Sequence, residues 1–204
     1  MDAHDLTLRQ ALESHLAEEG FGPDRDDAER WVTVRIGPVP LCLPNLPIRR
    51  RSTYPHDLNH VVSGYGHDLA GESEISAWEL GGGFGRHVAA YFLAWPIVLP
   101  AALTMPRRSF AAFVRGRRTR NFFVTDPTPF LDRPVSEVRA ALGLDCAHRA
   151  KASDVALYGL GLLGAPVAGI VPLVATVVTS PWWISEGAFR RRRQPEVRSP
   201  NPGA

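Results

Sequence analysis

From Val155 to Ser185 the chain carries no charged residue. A helix needs roughly 20 apolar residues to cross a bilayer core, so any fold must either bury this run or give it to lipid. Gly164-Ala165-Pro166 and Pro172 interrupt it, and basic residues flank both ends, Arg149 and Lys151 before and Arg190 to Arg193 after. Basic flanks favour the cytoplasmic side. A re-entrant apolar helical hairpin, turning near Gly164 to Pro172, keeps both ends there; a single span does not, and a buried helix pair is the third arrangement. Trp182 and Trp183 suit the membrane interface, where tryptophan is enriched. The organisation expected is a helical domain over 1–150, an apolar membrane-associated segment over 151–189, and a disordered basic tail over 190–204.

Upstream, the pattern predicts a mainly α chain. Leu8, Leu12 and Leu16 recur at helical spacing within 5–20, and Gly20 and Gly22 end the run. Residues 31–43 alternate and carry prolines, which predicts a short strand or small hairpin at an edge. A helix is expected to begin near Thr53 to Pro55 and run to Ser63, since proline suits a first helical turn. Gly64-Tyr65-Gly66 breaks it, and a second helix is expected from Asp68 to Leu80, with Asp68 as its N-cap. The glycines from Gly81 to Gly85 read as a flexible junction. They are not a phosphate loop, because no strand precedes them and no G-K-[ST] follows. The apolar stretch from His87 to Met105, with Pro96 and Pro100 inside, predicts a kinked buried helix. Helices over Arg107 to Arg120 and Pro134 to Leu142 follow, the latter with Gly143 as a C-cap.

The chemistry concentrates in His56-Asp57-Leu58-Asn59-His60. Two histidines four residues apart lie on one helix face and can share one metal ion, for which neutral imidazole is the commonest protein ligand. Asp57 sits about 100° further round, as a direct ligand on a distorted turn or as a hydrogen-bond partner to one. If the helix after the glycine break folds back, Glu72 faces both histidines. Two histidines with one or two carboxylates suit zinc, and also iron or manganese. A bare H-x-x-x-H also occurs on solvated helices. His67 reads as a loop residue or an alternative ligand. Glu79 reads as part of a solvated face, with an outer role at the metal as the other choice.

Charge narrows the partners. Lys and Arg number 23 against 21 Asp and Glu, which argues against a general nucleic-acid binder. The basic residues cluster instead, and Arg115, Arg117 and Arg118 suit a phosphate or carboxylate head group, because guanidinium binds such oxyanions bidentately. A solvated helix end is the plain alternative. Tyr65, between two glycines, suits contact with a ring substrate or simple packing. Two cysteines, Cys42 and Cys146, make neither a disulfide framework nor a thiolate zinc site. The N-terminus, acidic and polar, reads as neither signal nor transit peptide.

The run His56-Asp57-Leu58-Asn59-His60, eleven residues, then Glu72, resembles the H-D-x-x-H-x11-E signature of the Coq-four family of ubiquinone (coenzyme Q) biosynthesis proteins. The surrounding HDLNHVVSGYGHDLAGESEISAWEL, and RGRRTRNFF followed by LDRPVSEVRAALGL, are similar to bacterial members over about residues 5 to 145. The resemblance implies a largely α-helical, lipid-associated protein. It implies a divalent metal, most simply zinc, held by His56, Asp57, His60 and Glu72. It further implies action on an isoprenoid quinone precursor at its carboxyl-bearing ring carbon, by decarboxylation or hydroxylation, and the basic flanks of the apolar run put the expected location at the cytoplasmic face of the membrane. Other quinone-biosynthesis enzymes are the expected partners, and a homodimer is one permitted assembly. A lipid-binding scaffold with a structural metal is the second expectation. A zinc-dependent hydrolase is the third; in H-E-x-x-H proteases the residue after the first histidine is a Glu base, and Asp57 is one methylene shorter.

Overall fold

The computed structural model describes residues 6–18, 31–36, 39–44 and 47–163. The chain is mainly α-helical: α1 (Leu8–Glu18), α2 (Pro47–Ser63), α3 (Leu69–Gly82), α4 (Val88–Thr104), α5 (Pro106–Gly116), α6 (Val135–Leu142), and a helical stretch at 152–163, here α7. The backbone of Trp31–Ile36 pairs antiparallel with that of Val39–Pro44. Among the described residues no helix is long and apolar enough to cross a membrane. The hairpin turn expected near Gly164 to Pro172 and the basic tail lie outside the described residues.

Helix α2 starts earlier than its sequence suggests. Pro47 begins it, and Pro55, expected at the start, lies in its interior. An interior proline removes one backbone hydrogen bond. Burial of Pro55, Leu58 and Val62 on the same helix offsets that loss. The break at Gly64, whose φ is +77°, and the N-cap at Asp68 stand where the sequence places them; Gly71 N donates to Asp68 Oδ1 at 2.7 Å. Helix α6 likewise ends at Gly143 in the left-handed region.

Helix α3 is the central element. Trp78 is fully buried and its Nε1 donates to Thr119 Oγ1 at 2.9 Å. Around it lie Leu58, Val62, Ile75, Val98 and Phe113. Helices α3 and α5 touch backbone to backbone: a Cβ on Gly116 would fall 1.9 Å from the Trp78 carbonyl oxygen, and one on Gly81 would fall 2.2 Å from the Phe113 oxygen. Gly81 and Gly82 are therefore inside α3 as contact residues, which corrects their reading as a flexible junction. Gly83, at φ +88°, is the actual C-cap.

Helix α4 is continuous from Val88 to Thr104, with both prolines inside it. It is buried on one side only: Trp95 and Val98 face the core, while Val88, Leu93 and Leu103 are exposed. The expectation of a buried helix fails because α4 packs on the outside of α3 and its outer face meets no further element among the described residues.

Helix α7 is fastened to α5. Fully buried Asp154 accepts from Arg117 Nε at 3.0 Å, from Arg118 Nη2, and from the Lys151 backbone N–H at 2.8 Å. Tyr158 hydrogen-bonds Ser109 at 2.7 Å. The Lys151 N–H, then Arg118 and Arg117, hold the Asp154 carboxyl below its ordinary range against the opposing effect of burial.

Two outcomes follow. Gly116→Ala should destabilise the fold by about 1–3 kcal/mol, the usual cost of overpacking, read as a lower denaturation midpoint. Asp154→Asn should speed amide exchange across 152–163 while α5 stays protected. Because the folded pKa of Asp154 is depressed, this anchor is fully present above the unfolded value of about 3.9 and is lost as the pH falls through the lower folded value. Acid should therefore release α7 in the wild-type protein too.

Candidate metal centre

Helical spacing brings His56 and His60 to one face of α2, and the glycine break turns α3 back so that Glu72, in its first turn, meets them. One ligand atom from each of His56, His60 and Glu72 lies within 4.8 Å of the other two. His60 Nε2 is 3.2 Å from His56 Nε2 and 3.3 Å from Glu72 Oε1; His56 Nε2 is 3.8 Å from Glu72 Oε2.

The outer ring nitrogens decide what these inner ones can do. His56 Nδ1 is 2.8 Å from Glu79 Oε1 and His60 Nδ1 is 3.1 Å from the Tyr65 carbonyl oxygen. Both partners are acceptors, so each Nδ1 carries the proton. In the neutral tautomer both Nε2 atoms then present lone pairs to one another and to the Glu72 carboxylate. Such a convergence calls for a cation, a proton or a metal ion. Burial opposes charge on His56, but Glu79 and Glu72 outweigh it and hold its pKa well above the ordinary imidazole value. Burial would raise the Glu72 carboxyl, but His56 and His60 hold it well below the usual carboxylate range.

Glu79 takes the outer position that the sequence offered only as its second choice. It does not lie on a solvated face. Its side chain is 3% exposed, it accepts from His56, and it accepts from Asn59 Nδ2 at 2.9 Å. Asn59 is itself fully buried, and its Oδ1 accepts from the Phe122 N–H at 2.9 Å. The spacing held a clue: Glu79 is seven residues after Glu72, two helical turns along the same face. A carboxylate behind a ligating histidine fixes its tautomer and raises its basicity.

The other expected residues fall differently. Asp57 is buried but stands outside the group of converging ligand atoms, as its position round the helix implies. Tyr65 contributes its backbone oxygen to His60, while its ring lies under the Arg115 guanidinium, 5.2 Å from ring centre to Cζ. Arg115 also donates to the Ser63 carbonyl at 3.0 Å, and Arg117 and Arg118 are engaged by Asp154. These guanidinium groups thus hold helices together. His67 lies beside the cluster, its Nδ1 3.5 Å from Glu72 Oε1 and its ring stacked 4.1 Å from that of His60.

The donor set fits a divalent ion such as zinc: two imidazoles and a carboxylate, with the outer nitrogens already partnered. The side chains of His56 and Glu72 are 28% and 30% exposed, whereas that of His60 is 2% exposed, so the cluster opens to one side. Removing the partner of His56 should weaken metal binding without unfolding the chain. Glu79→Gln is expected to lower zinc affinity roughly 10–100-fold in chelator competition.

Comparison with family models, with curated proteins and with solved structures gave no match to this chain.

Proposed function

We propose that this chain is a membrane-associated, metal-dependent protein of isoprenoid quinone biosynthesis, with His56, His60 and Glu72 as its metal ligands. One observation carries the reading: the two histidines and the glutamate of the H-D-x-x-H-x11-E pattern, on two successive helices, supply three ligand atoms within 4.8 Å of one another. The substrate proposed is a polyprenylated aromatic ring bearing a carboxyl group, and the reaction is processing of the carboxyl-bearing ring carbon. A bound divalent ion would supply Lewis acidity toward that carboxylate. The chain's own part is to hold His56 and His60 in the correct tautomers through Glu79 and the Tyr65 carbonyl, and to admit substrate from the exposed side of Glu72.

Two further features support the lipid side of the reading. An apolar cleft of about 430 Å³, lined by Leu80, Phe84, Val88, Tyr91 and Phe92 among others, offers room for isoprenoid carbon. The exposed Val88, Leu93 and Leu103 of α4, with Val155, Leu160 and Leu163 of α7, give an apolar surface suited to a membrane. The cytoplasmic face, and contact with other enzymes of quinone synthesis, belong to the same proposal. A catalytic metal is favoured over a purely structural one because the cluster is open on one side. The hydrolase alternative ranks last because Asp57, its candidate base, is one methylene shorter than the Glu of H-E-x-x-H proteases.

The test is the lipid quinone profile of a strain lacking this protein. A carboxylated polyprenyl-ring precursor should accumulate, and wild type should clear it where Glu72→Ala does not. An unchanged profile would remove quinone synthesis from the reading and leave a helical metal-binding protein. In parallel, purified protein should bind one equivalent of zinc and release protons as it does so, with His60→Ala abolishing both.

A further inference from the structure

We infer that Asn59 is a positioning residue for the proposed metal centre: turned by the Phe122 N–H, its amide holds the Glu79 carboxylate in line with His56 Nδ1. The inference rests on the metal-centre reading for its consequence, since it concerns how one ligand, His56, is aimed. Asn59 acts through Glu79 and not as a ligand. It follows His56 by three residues and so shares its face of α2, where it is fully buried. The two ends of its amide are not interchangeable. The Phe122 N–H can only donate, so it takes Oδ1, at 2.9 Å, and the NH2 end is left for Glu79 Oε1, also at 2.9 Å. A flipped amide would set Nδ2 against an N–H and Oδ1 against a carboxylate, two repulsions in place of two hydrogen bonds.

Glu79 needs this second donor. The terminal torsion of a glutamate is soft, so one imidazole alone does not fix which oxygen it meets or at what angle. Here Oε1 takes both His56 Nδ1, at 2.8 Å, and Asn59 Nδ2. Two donors on one oxygen, from one turn of one helix, fix the carboxylate against α2. His60 has no such need, because its outer nitrogen meets the Tyr65 backbone carbonyl, whose direction the chain itself sets. The two histidines therefore differ: His56 depends on a relay of side chains, His60 on backbone alone. The relay ends on a firmly held segment. The Phe122 ring is buried in the main core, and that of Phe123 in a separate cluster with Phe84, Ala90 and Ala94. Fully buried Asn121 donates to the Gly83 carbonyl and accepts from the Phe123 N–H, both at 3.0 Å. The N–H that turns Asn59 is thus fixed from both sides.

The experiment uses the full chain, with zinc as the metal probe and the histidine ring N–H protons, seen by nitrogen-edited NMR without metal, as the probe of aim. Asn59→Leu should bind zinc roughly 10–100-fold more weakly. It should shift or lose the His56 Nδ1–H signal while that of His60 stays. Val98→Ala, a core truncation on α4, should lower the denaturation midpoint and move neither signal nor affinity. In a Glu79→Ala background Asn59→Leu should cost little further affinity, because its target is gone; such non-additivity marks residues that act through one another. His56 and His60 signals that move alike would reduce Asn59 to packing and overturn the inference. So would wild-type zinc affinity in Asn59→Leu, or the same fold-loss with and without Glu79. Circular dichroism checks the fold of each variant. Should Asn59→Leu not fold, Asn59→Asp, which keeps the oxygen for the Phe122 N–H and loses the amide donor to Glu79, carries the same comparison of His56 with His60. If wild-type protein bound no zinc, the metal-centre reading would fall, and the His56 signal would still decide whether Asn59 aims the ring.

Discussion

Two imidazole nitrogens are held 3.2 Å apart beside a carboxylate, and buried polar groups keep them there. With both outer nitrogens protonated, the inner pair needs a cation between them, a proton or a metal ion. Glu79 and the Tyr65 carbonyl impose that by taking both outer protons. Glu79 can serve only because Asn59 shares its burden, and Asn59 in turn is tied to the Phe122 N–H. An unsatisfied buried polar group costs about 1–3 kcal/mol, so removing any member exposes the rest to that penalty. The network makes sense as a support for something positively charged between the two rings.

The packing of the helices follows from the need to hold that support still. Asn121 ties the segment leading to Phe122 back to the end of α3, donating to the Gly83 carbonyl at 3.0 Å, while its Oδ1 accepts from the Phe123 N–H. Gly82 lets it approach, since a Cβ there would fall 2.7 Å from Asn121 Nδ2. Gly81 and Gly116 let α5 lie directly against α3, which brings the segment after α5 within reach of Asn59. The small residues at the end of α3 therefore act on the His56, His60 and Glu72 cluster at a distance, by fixing where the Phe122 N–H points. A side chain at any of them would move that N–H before it moved a ligand.

What the sequence revealed was whatever lies within one or two helical turns. The His56/His60 pair, the glycine break, the Asp68 cap and the Gly143 stop depend on neighbours a few residues away, and all stand in the structure. Features whose reason lies across the fold were misread. Glu79 looks solvated until its partner His56, 23 residues earlier, is placed against it. Gly81 looks flexible until Phe113 arrives beside it. Arg117 and Arg118 look like a free anion clamp until Asp154, more than thirty residues on, is buried between them. Glu79 was assigned to solvent, Gly81 to flexibility and the arginines to an anionic head group, and in each case the structure shows a long-range contact within the fold. Charge inside a fold is affordable only when paired, and periodicity carries no information about who the partner is.

Helix α7 shows how the same pairing shapes the protein's outer surface. Asp154 and Tyr158, one turn apart, face α5, while Val155, Leu160 and Leu163 face outward. Tyr158 and the partly buried Leu162 pack on the core from that side, so Asp154 is one charged group set into an otherwise apolar inner face. The arrangement costs little on the inner side, because Arg117 and Arg118 satisfy the carboxylate there. On the outer side it leaves aliphatic side chains that water does not favour, on the helix where the uncharged run begins, and the exposed residues of α4 carry the same character. The Asp154 anchor then has a second consequence: it fixes the apolar side of α7 relative to α5, and through α5 and α3 relative to Glu72, so that the exposed aliphatic side chains and the His56, His60 and Glu72 cluster are joined by one continuous set of contacts.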